Sequence, residues 1–180
     1  MTYEENPYFF KKILNFLMIV VDSGRLWCYY IAIAVKKANI MIILTGEYDH
    51  QVDAKNRIRM PAKLKGNEEK LYFANGTDGC IFVFYEEIIN AKLEALASVK
   101  LTDTEKQRGL RFFTRSVKPV DMDSQGRLVI PSEFVTYANI KKDIKICGCG
   151  TRIEIWAKEV FDEYNSNGAG YDASISILDF

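Results

Sequence analysis

Short runs of alternating apolar and polar residues fill much of the chain from residue 41 onward, and turn-forming residues bound each run. This alternation has the two-residue period of a half-buried β-strand. Residues 41–48 form the first predicted strand, and residues 86–97 and 158–165 have helix-compatible sequences. The pattern therefore predicts a mainly β protein with added helices, an α+β fold.

One ten-residue pattern occurs twice, at residues 52–61 and 122–131. Asp, Arg and Pro stand at positions 53, 57 and 61 and again 70 residues later, with apolar residues at matching positions between them. Residues 76–84 are also similar to residues 148–156. Self-similarity of this kind indicates a structural repeat. Each half is predicted as strand, tight turn, strand, short link, strand, turn, strand and helix.

The repeated turn has a consistent chemistry. An aspartate, here Asp53 or Asp123, can accept hydrogen bonds from backbone N–H groups two residues further on. Gly126 supplies a positive φ, and Asn56, at the equivalent position, is a residue that tolerates the left-handed region. These four residues are predicted to structure the two loops. The prolines at 61 and 131 end the strands, because proline cannot donate to a sheet.

Each turn carries an arginine at the same place, Arg57 in the first copy and Arg127 in the second. One interpretation is a local ion pair with the aspartate of the same loop, and the other is contact with a ligand. Two copies favour the ligand. The first copy also has Lys55 and Arg59, and no acidic residue occurs between residues 55 and 65, where five cations lie: Lys55, Arg57, Arg59, Lys63 and Lys65. Such a cluster is typical of nucleic-acid binding.

The overall charge does not support nucleic-acid binding. The 180 residues include 24 Lys/Arg and 24 Asp/Glu, and residues 41–180 contain 19 and 21 of them, a formal charge of −2. A DNA-binding face must therefore come from local clustering.

Catalysis and metal binding have little support in the sequence. There is one histidine, His50, no nucleophile–base pair and no glycine-rich phosphate loop, so we expect neither an enzyme nor a small-molecule substrate or cofactor. The four cysteines indicate a reduced protein rather than a disulfide framework. Cys147 and Cys149 lack the spacing and the second ligand pair of a zinc site, so no metal is expected.

Residues 1–40 differ from the rest of the chain. They are rich in large apolar side chains, but Asp22 and Arg25 interrupt a run that would need ~20 apolar residues to cross a membrane. We interpret them as an extension outside the fold, with a membrane-associated segment as the alternative. The predicted divisions are the extension, a first half at 41–100, a helical linker at 101–117, a second half at 118–165 and a tail at 166–180. A capping-box pattern at Thr102 and Glu105 predicts a linker helix over residues 105–113, which would form a helical hairpin with residues 86–99.

The paired Asp-x-x-x-Arg loops, the proline that follows each and the helical linker resemble the MraZ family over residues 41–180. The resemblance implies two tandem AbrB-like swapped-hairpin β units that form a pseudo-twofold barrel and are joined by a helical hairpin. Asn56 replaces the family's usual glycine, and Gln125 replaces its usual lysine in the second loop.

The resemblance also implies a function. Such proteins are cytoplasmic, nucleoid-associated transcriptional regulators that form ring-shaped homo-oligomers. They bind short direct repeats of double-stranded DNA in the promoter of the cell-wall and division gene cluster. Carried over to this chain, Arg57 and Arg127 are the expected DNA contacts, supported by Lys55, with Arg59 beside them. Asp53 and Asp123 would fix the loops.

Two alternatives remain open. One is an AbrB-like regulator or antitoxin that acts on other promoters or on a toxin partner. The other, of a different class, is an adaptor tethered to a membrane through residues 1–40.

Overall fold

The computed structural model describes residues 43–66 and 70–167, which contain eight β-strands and five helices. The first half supplies β1 (Leu44–Gln51), β2 (Arg57–Arg59), α1 (Ala62–Lys65), β3 (Lys70–Asn75), β4 (Ile81–Tyr85) and α2 (Glu86–Ala97). Helix α3 (Thr104–Ser116) connects the halves. The second half supplies β5 (Lys118–Asp121), β6 (Arg127–Val129), α4 (Ser132–Tyr137), β7 (Asp143–Gly150), β8 (Arg152–Ala157) and α5 (Lys158–Asn167). The predicted α+β class is confirmed.

The strands of the two halves are interleaved. Six of them form an antiparallel sheet in the order β1-β7-β8-β4-β3-β5, and β2 and β6 form a separate two-stranded ribbon. Among the described strands, only β3–β4 and β7–β8 are hairpins within one half. The pairs β1–β7, β4–β8, β3–β5 and β2–β6 each join one half to the other. Exchanging every strand for its equivalent in the other half reverses the order of the sheet, as an internal twofold repeat requires.

One hydrophobic core serves both halves. The central pair β4–β8 places Ile81 opposite Ile155, and both side chains are fully buried. Phe73 of the first half meets Phe134 of the second edge to face, with ring centroids 5.6 Å apart. Because both rings are buried in the shared core, neither half can complete its interior alone.

Helices α2 and α3 cover the other face of the sheet near β3 and β4. Ile89 of α2 is buried against Ala74 and Phe84, and Phe113 of α3 packs on the same cluster. Helix α3 is longer than the predicted residues 105–113, because it runs from Thr104 to Ser116. The Ser116 hydroxyl accepts a hydrogen bond from the Asn75 N–H at 3.1 Å.

Two other expectations about element ends are corrected. The residue that caps α3 is Asp103 rather than Thr102, because its carboxylate accepts the Lys106 N–H at 3.1 Å and an acid is favoured at a helix N-terminus. Strand β1 continues beyond residue 48 to Gln51, which pairs with Asp143 on β7.

The interpretation of residues 1–40 lies outside the described residues, as do residues 41 and 42 of the first predicted strand. Within the part of the chain that the structure describes, no helix is long and apolar enough to cross a membrane.

The contact between Phe73 and Phe134 leads to a stability prediction. Phe134→Ala removes a buried ring that joins the two halves, so the free energy of unfolding should fall by about 3–5 kcal/mol. Chemical denaturation at a fixed protein concentration measures the change. Leu101→Ala is the control, because Leu101 is 88% exposed and its truncation should change stability by no more than about 0.5 kcal/mol. Equal effects of the two substitutions would contradict a shared core at this position.

Candidate functional site

The first repeated loop is held by its aspartate. One Asp53 carboxylate oxygen accepts the backbone N–H groups of Lys55 at 2.8 Å and Arg57 at 2.9 Å. The other oxygen accepts Nε of the Arg57 guanidinium at 2.7 Å. Asn56 has a φ of 56°, the left-handed conformation that the sequence predicted at this position.

The second loop repeats this geometry almost atom for atom. Asp123 accepts the backbone N–H groups of Gln125 at 2.9 Å and Arg127 at 2.8 Å, and its second oxygen accepts Arg127 Nε at 2.8 Å. Gly126 has a φ of 75°. In both loops the aspartate thus accepts two backbone N–H groups, and the residue before the arginine has a positive φ.

The hydrogen bonds keep both aspartates ionised. The backbone N–H of Arg57 is the main cause that lowers the pKa of Asp53, with the Arg57 side chain contributing further. The Arg127 backbone and then its side chain lower the pKa of Asp123 in the same way. Because a lowered pKa means that the folded loop favours the carboxylate, the stabilisation persists above the ordinary value of 3.8 and is lost only as the pH falls through the lowered pKa.

Both arginines therefore make the local ion pair that was one of the two interpretations of the sequence. The pairs are partly exposed, with 38% of the Arg57 side chain and 41% of the Arg127 side chain accessible to solvent. In each pair the carboxylate contacts Nε, the inner nitrogen of the guanidinium. This contact fixes the orientation of the guanidinium through its inner nitrogen. The two terminal nitrogens are then the ones that can donate to a planar acceptor.

Strand pairing brings the two loops together. Strands β2 and β6 run antiparallel, with Ile58 opposite Leu128 on the buried side. The ribbon continues past the strands, because Met60 N–H donates to Gly126 O at 2.9 Å and Ile130 N–H donates to Asn56 O at 2.8 Å. Each strand thus bonds to the loop of the other half.

The other side of the ribbon is its outer face, formed by Arg57, Arg59, Arg127 and Val129. Arg57 lies opposite Val129, and Arg59 lies opposite Arg127. Like charges directly opposite each other on neighbouring strands destabilise a sheet. Among residues 43–66 and 70–167, Arg59 has no carboxylate within ion-pair distance. On the outer face Arg59 is thus a cation without a carboxylate partner in this part of the chain, beside Arg57 and Arg127, which are each paired with a loop aspartate.

The structure thus brings together the three predicted arginines and places Lys55 in the exposed part of the first loop.

Sequence reasoning missed two features. One is Val129, which is 50% exposed and takes the place on β6 that Arg59 takes on β2. The other is Lys65, whose side chain runs beside Gly126 of the second loop. A methyl group placed on Gly126 would lie 3.4 Å from Lys65 Cδ and 3.5 Å from its Nζ. The 70-residue offset between the repeats identifies Val129 as the equivalent of Arg59. The position of Lys65 beside Gly126 depends on strand pairing and cannot be found in this way.

The three cysteines that the structure describes lie outside the ribbon. Cys80 and Cys147 are buried beside Trp156, and Cys149 lies at the edge of the same cluster. Burial raises the pKa of Cys80 and Cys147 to about 12 and that of Cys149 to about 11. Metal binding needs the thiolate, which this environment disfavours. No group of three or more potential ligands that could hold a metal ion occurs among the described residues.

Comparison with known proteins gives consistent matches. The family model described as "MraZ protein, putative antitoxin-like" matches residues 114–173. A protein of Clostridium tetani named "Transcriptional regulator MraZ" is 38% identical over 128 residues, which cover 71% of this chain and 90% of that protein. Proteins of the same name from Thermoanaerobacter sp. and Acetivibrio thermocellus are 40% and 38% identical, over 69% and 68% of this chain and 88% and 86% of their own lengths.

The turn geometry predicts unequal effects of two substitutions at one residue. Asn56→Gly should change the free energy of unfolding by no more than a few tenths of a kcal/mol, because glycine adopts a φ of 56° without strain. Asn56→Val should cost about 1–3 kcal/mol, since a β-branched residue is strained in this region. Chemical denaturation measures both. Asn75→Val, at the exposed end of β3, is the matched control and should be nearly neutral; equal effects of valine at 56 and 75 would argue against the left-handed turn.

The raised thiol pKa values predict slow alkylation. In the native protein at pH 8, iodoacetamide should modify Cys80 and Cys147 far more slowly than in guanidinium chloride, with Cys149 ahead of both. Peptide mapping by mass spectrometry resolves the three sites. If Cys80 reacted as fast in the native protein as in the unfolded one, the result would contradict the burial of its side chain.

Proposed function

The chain belongs to the MraZ family, and we propose that it is a transcriptional regulator that binds double-stranded DNA through the outer face of the β2–β6 ribbon. The observation that carries this proposal is the placement of Arg57, Arg59 and Arg127 on one exposed antiparallel ribbon. The names of the relatives support the regulatory role.

The shape of the ribbon suits the major groove. The groove of B-DNA admits a two-stranded β-ribbon, and an arginine there can donate two hydrogen bonds to guanine O6 and N7. Arg57 and Arg127 are held from behind by their loop aspartates, which leaves their outer ends to meet the base edges. Lys55, in the first loop, is placed to contact phosphate, which positions the protein without reading sequence. The aspartates orient the arginines and do not touch the anionic DNA.

A single chain of this kind would bind weakly. The formal charge of the whole chain is zero, and contacts by a few cations give dissociation constants on the order of 10⁻⁴–10⁻⁶ M. A ring-shaped homo-oligomer would present several ribbons to several repeats, and linked binding raises avidity by roughly 10²–10⁴. We therefore propose a ring that binds short direct repeats, at a promoter of the cell-wall and division gene cluster that includes the regulator's own gene. Its place in the cell would be the cytoplasm, at the nucleoid.

A second candidate function has one observation in its favour, the antitoxin-like description of the matching family model. In that case the chain would act on other promoters or hold a toxin partner. The DNA experiment below separates the two, because an antitoxin directed at other sites would not prefer DNA upstream of its own gene.

The proposal predicts loss of DNA binding when either central arginine is removed. Arg57→Ala and Arg127→Ala should each weaken binding to DNA from upstream of the protein's own gene by about 1–3 kcal/mol per lost base contact, which is about 5- to 150-fold. A gel shift at about 150 mM salt measures the change, with scrambled DNA of equal length as the reference for specificity.

Arg115→Ala is the matched control, because Arg115 is an exposed arginine at the end of α3 and lies outside the ribbon. It should bind as tightly as the unmodified protein. Unchanged binding by both ribbon variants would rule out readout through this face.

A further inference from the structure

We propose that Lys65 is the phosphate-binding lysine of the second loop, supplied across the molecule by the first half. This inference rests on the proposed DNA-binding function and adds a residue to the same face. The two loops differ in charge at one equivalent position. The first loop contains Lys55, whereas the second has the uncharged Gln125 at the equivalent position.

The side chain of Lys65 follows the backbone of the second loop. Its Cδ, Cε and Nζ atoms would lie 3.4, 3.5 and 3.5 Å from a methyl group on Gly126. Three consecutive atoms at ordinary contact distance mean that the chain lies along Gly126 rather than crossing it at one point. The ammonium group is therefore beside the turn that presents Arg127, although Lys65 belongs to the half that carries Arg57.

The fold fixes this placement at the base of the side chain. Helix α1 is one turn long, and Leu64, its buried residue, anchors it in the core. The Tyr85 hydroxyl donates to Leu64 O at 2.7 Å and holds the end of the turn. Gly66 follows with a φ of 59° and ends the helix. Lys65 directly follows the anchored Leu64, so its backbone position relative to the core is defined.

The two halves are complementary at these positions. The residue equivalent to Lys65, 70 positions later, is Val135, so the second half has no lysine at the matching position. Lys55 lies within the first loop, and Lys65 lies beside the second. Since a lysine ammonium binds phosphate as a point charge, the origin of the side chain matters less than where its charge lies.

Salt dependence tests this assignment directly. Each phosphate neutralised by a cation contributes about 0.9 to the slope of log K against log salt concentration. Lys65→Gln should reduce the magnitude of that slope by about 0.9 for each bound subunit, and it should weaken binding to operator and scrambled DNA by the same factor. Fluorescence anisotropy at several salt concentrations between about 50 and 200 mM provides the slope.

Two further variants make the result specific. Lys100→Gln removes an exposed lysine from the turn between α2 and α3 and should leave the slope unchanged. The double variant Lys65→Gln with Gln125→Lys should restore the slope, because lysine at 125 occupies in the second loop the place that Lys55 occupies in the first.

The outcomes separate this inference from the proposed function. An unchanged slope in Lys65→Gln, with weakened binding by Arg57→Ala and Arg127→Ala, would overturn the role of Lys65 and leave DNA binding by the ribbon intact. A reduced slope that Gln125→Lys fails to restore would also overturn it, since the lost charge would then act elsewhere. If the arginine variants bind like the unmodified protein, the proposed function itself is wrong.

Discussion

The pairing of β2 with β6 is the constraint on which the rest of the structure depends. Each strand has three residues, too few to form a stable sheet within its own half. The pair persists because Ile58 and Leu128 are buried beneath it and because its backbone hydrogen bonds continue into the opposite loops. Both halves must be folded before the outer face exists. The shared core and the candidate site are thus consequences of one interleaved arrangement.

The ion pairs within the loops act mainly on geometry. Exposed pairs of this kind contribute about 0–1 kcal/mol to stability, so Asp53 and Asp123 are poorly explained as stabilising charges. Each instead uses one oxygen for two backbone N–H groups and the other for an arginine. One short side chain therefore shapes the turn and aims the guanidinium. The local ion pair and the ligand contact, which looked like competing interpretations of the sequence, are compatible in this arrangement.

Much of the local structure could be predicted from the sequence, because turns and short helices depend on neighbouring residues. Asn56 and Gly126 have the predicted positive φ, and α2 begins at the predicted residue 86. The cross-half contacts could not be predicted. A two-residue period assigns Arg59 to a face of its strand but cannot reveal that Arg127 lies opposite, and the position of Lys65 over Gly126 depends on the same pairing. Residues 55–65 form one basic cluster in the sequence, yet in space their charge is divided between two loops.

The difference between Arg59 and Val129 has a consequence for how a ligand can approach. A ribbon with two identical strands would look the same after a half-turn about its centre, and a DNA duplex could lie across it in either of two opposite senses. Here the half-turn exchanges a cation for an apolar side chain, so the two senses are inequivalent. The two ends of the outer face are therefore different. In the proposed DNA complex, such a surface would distinguish the two directions along the duplex, whereas a palindrome would call for strict internal symmetry.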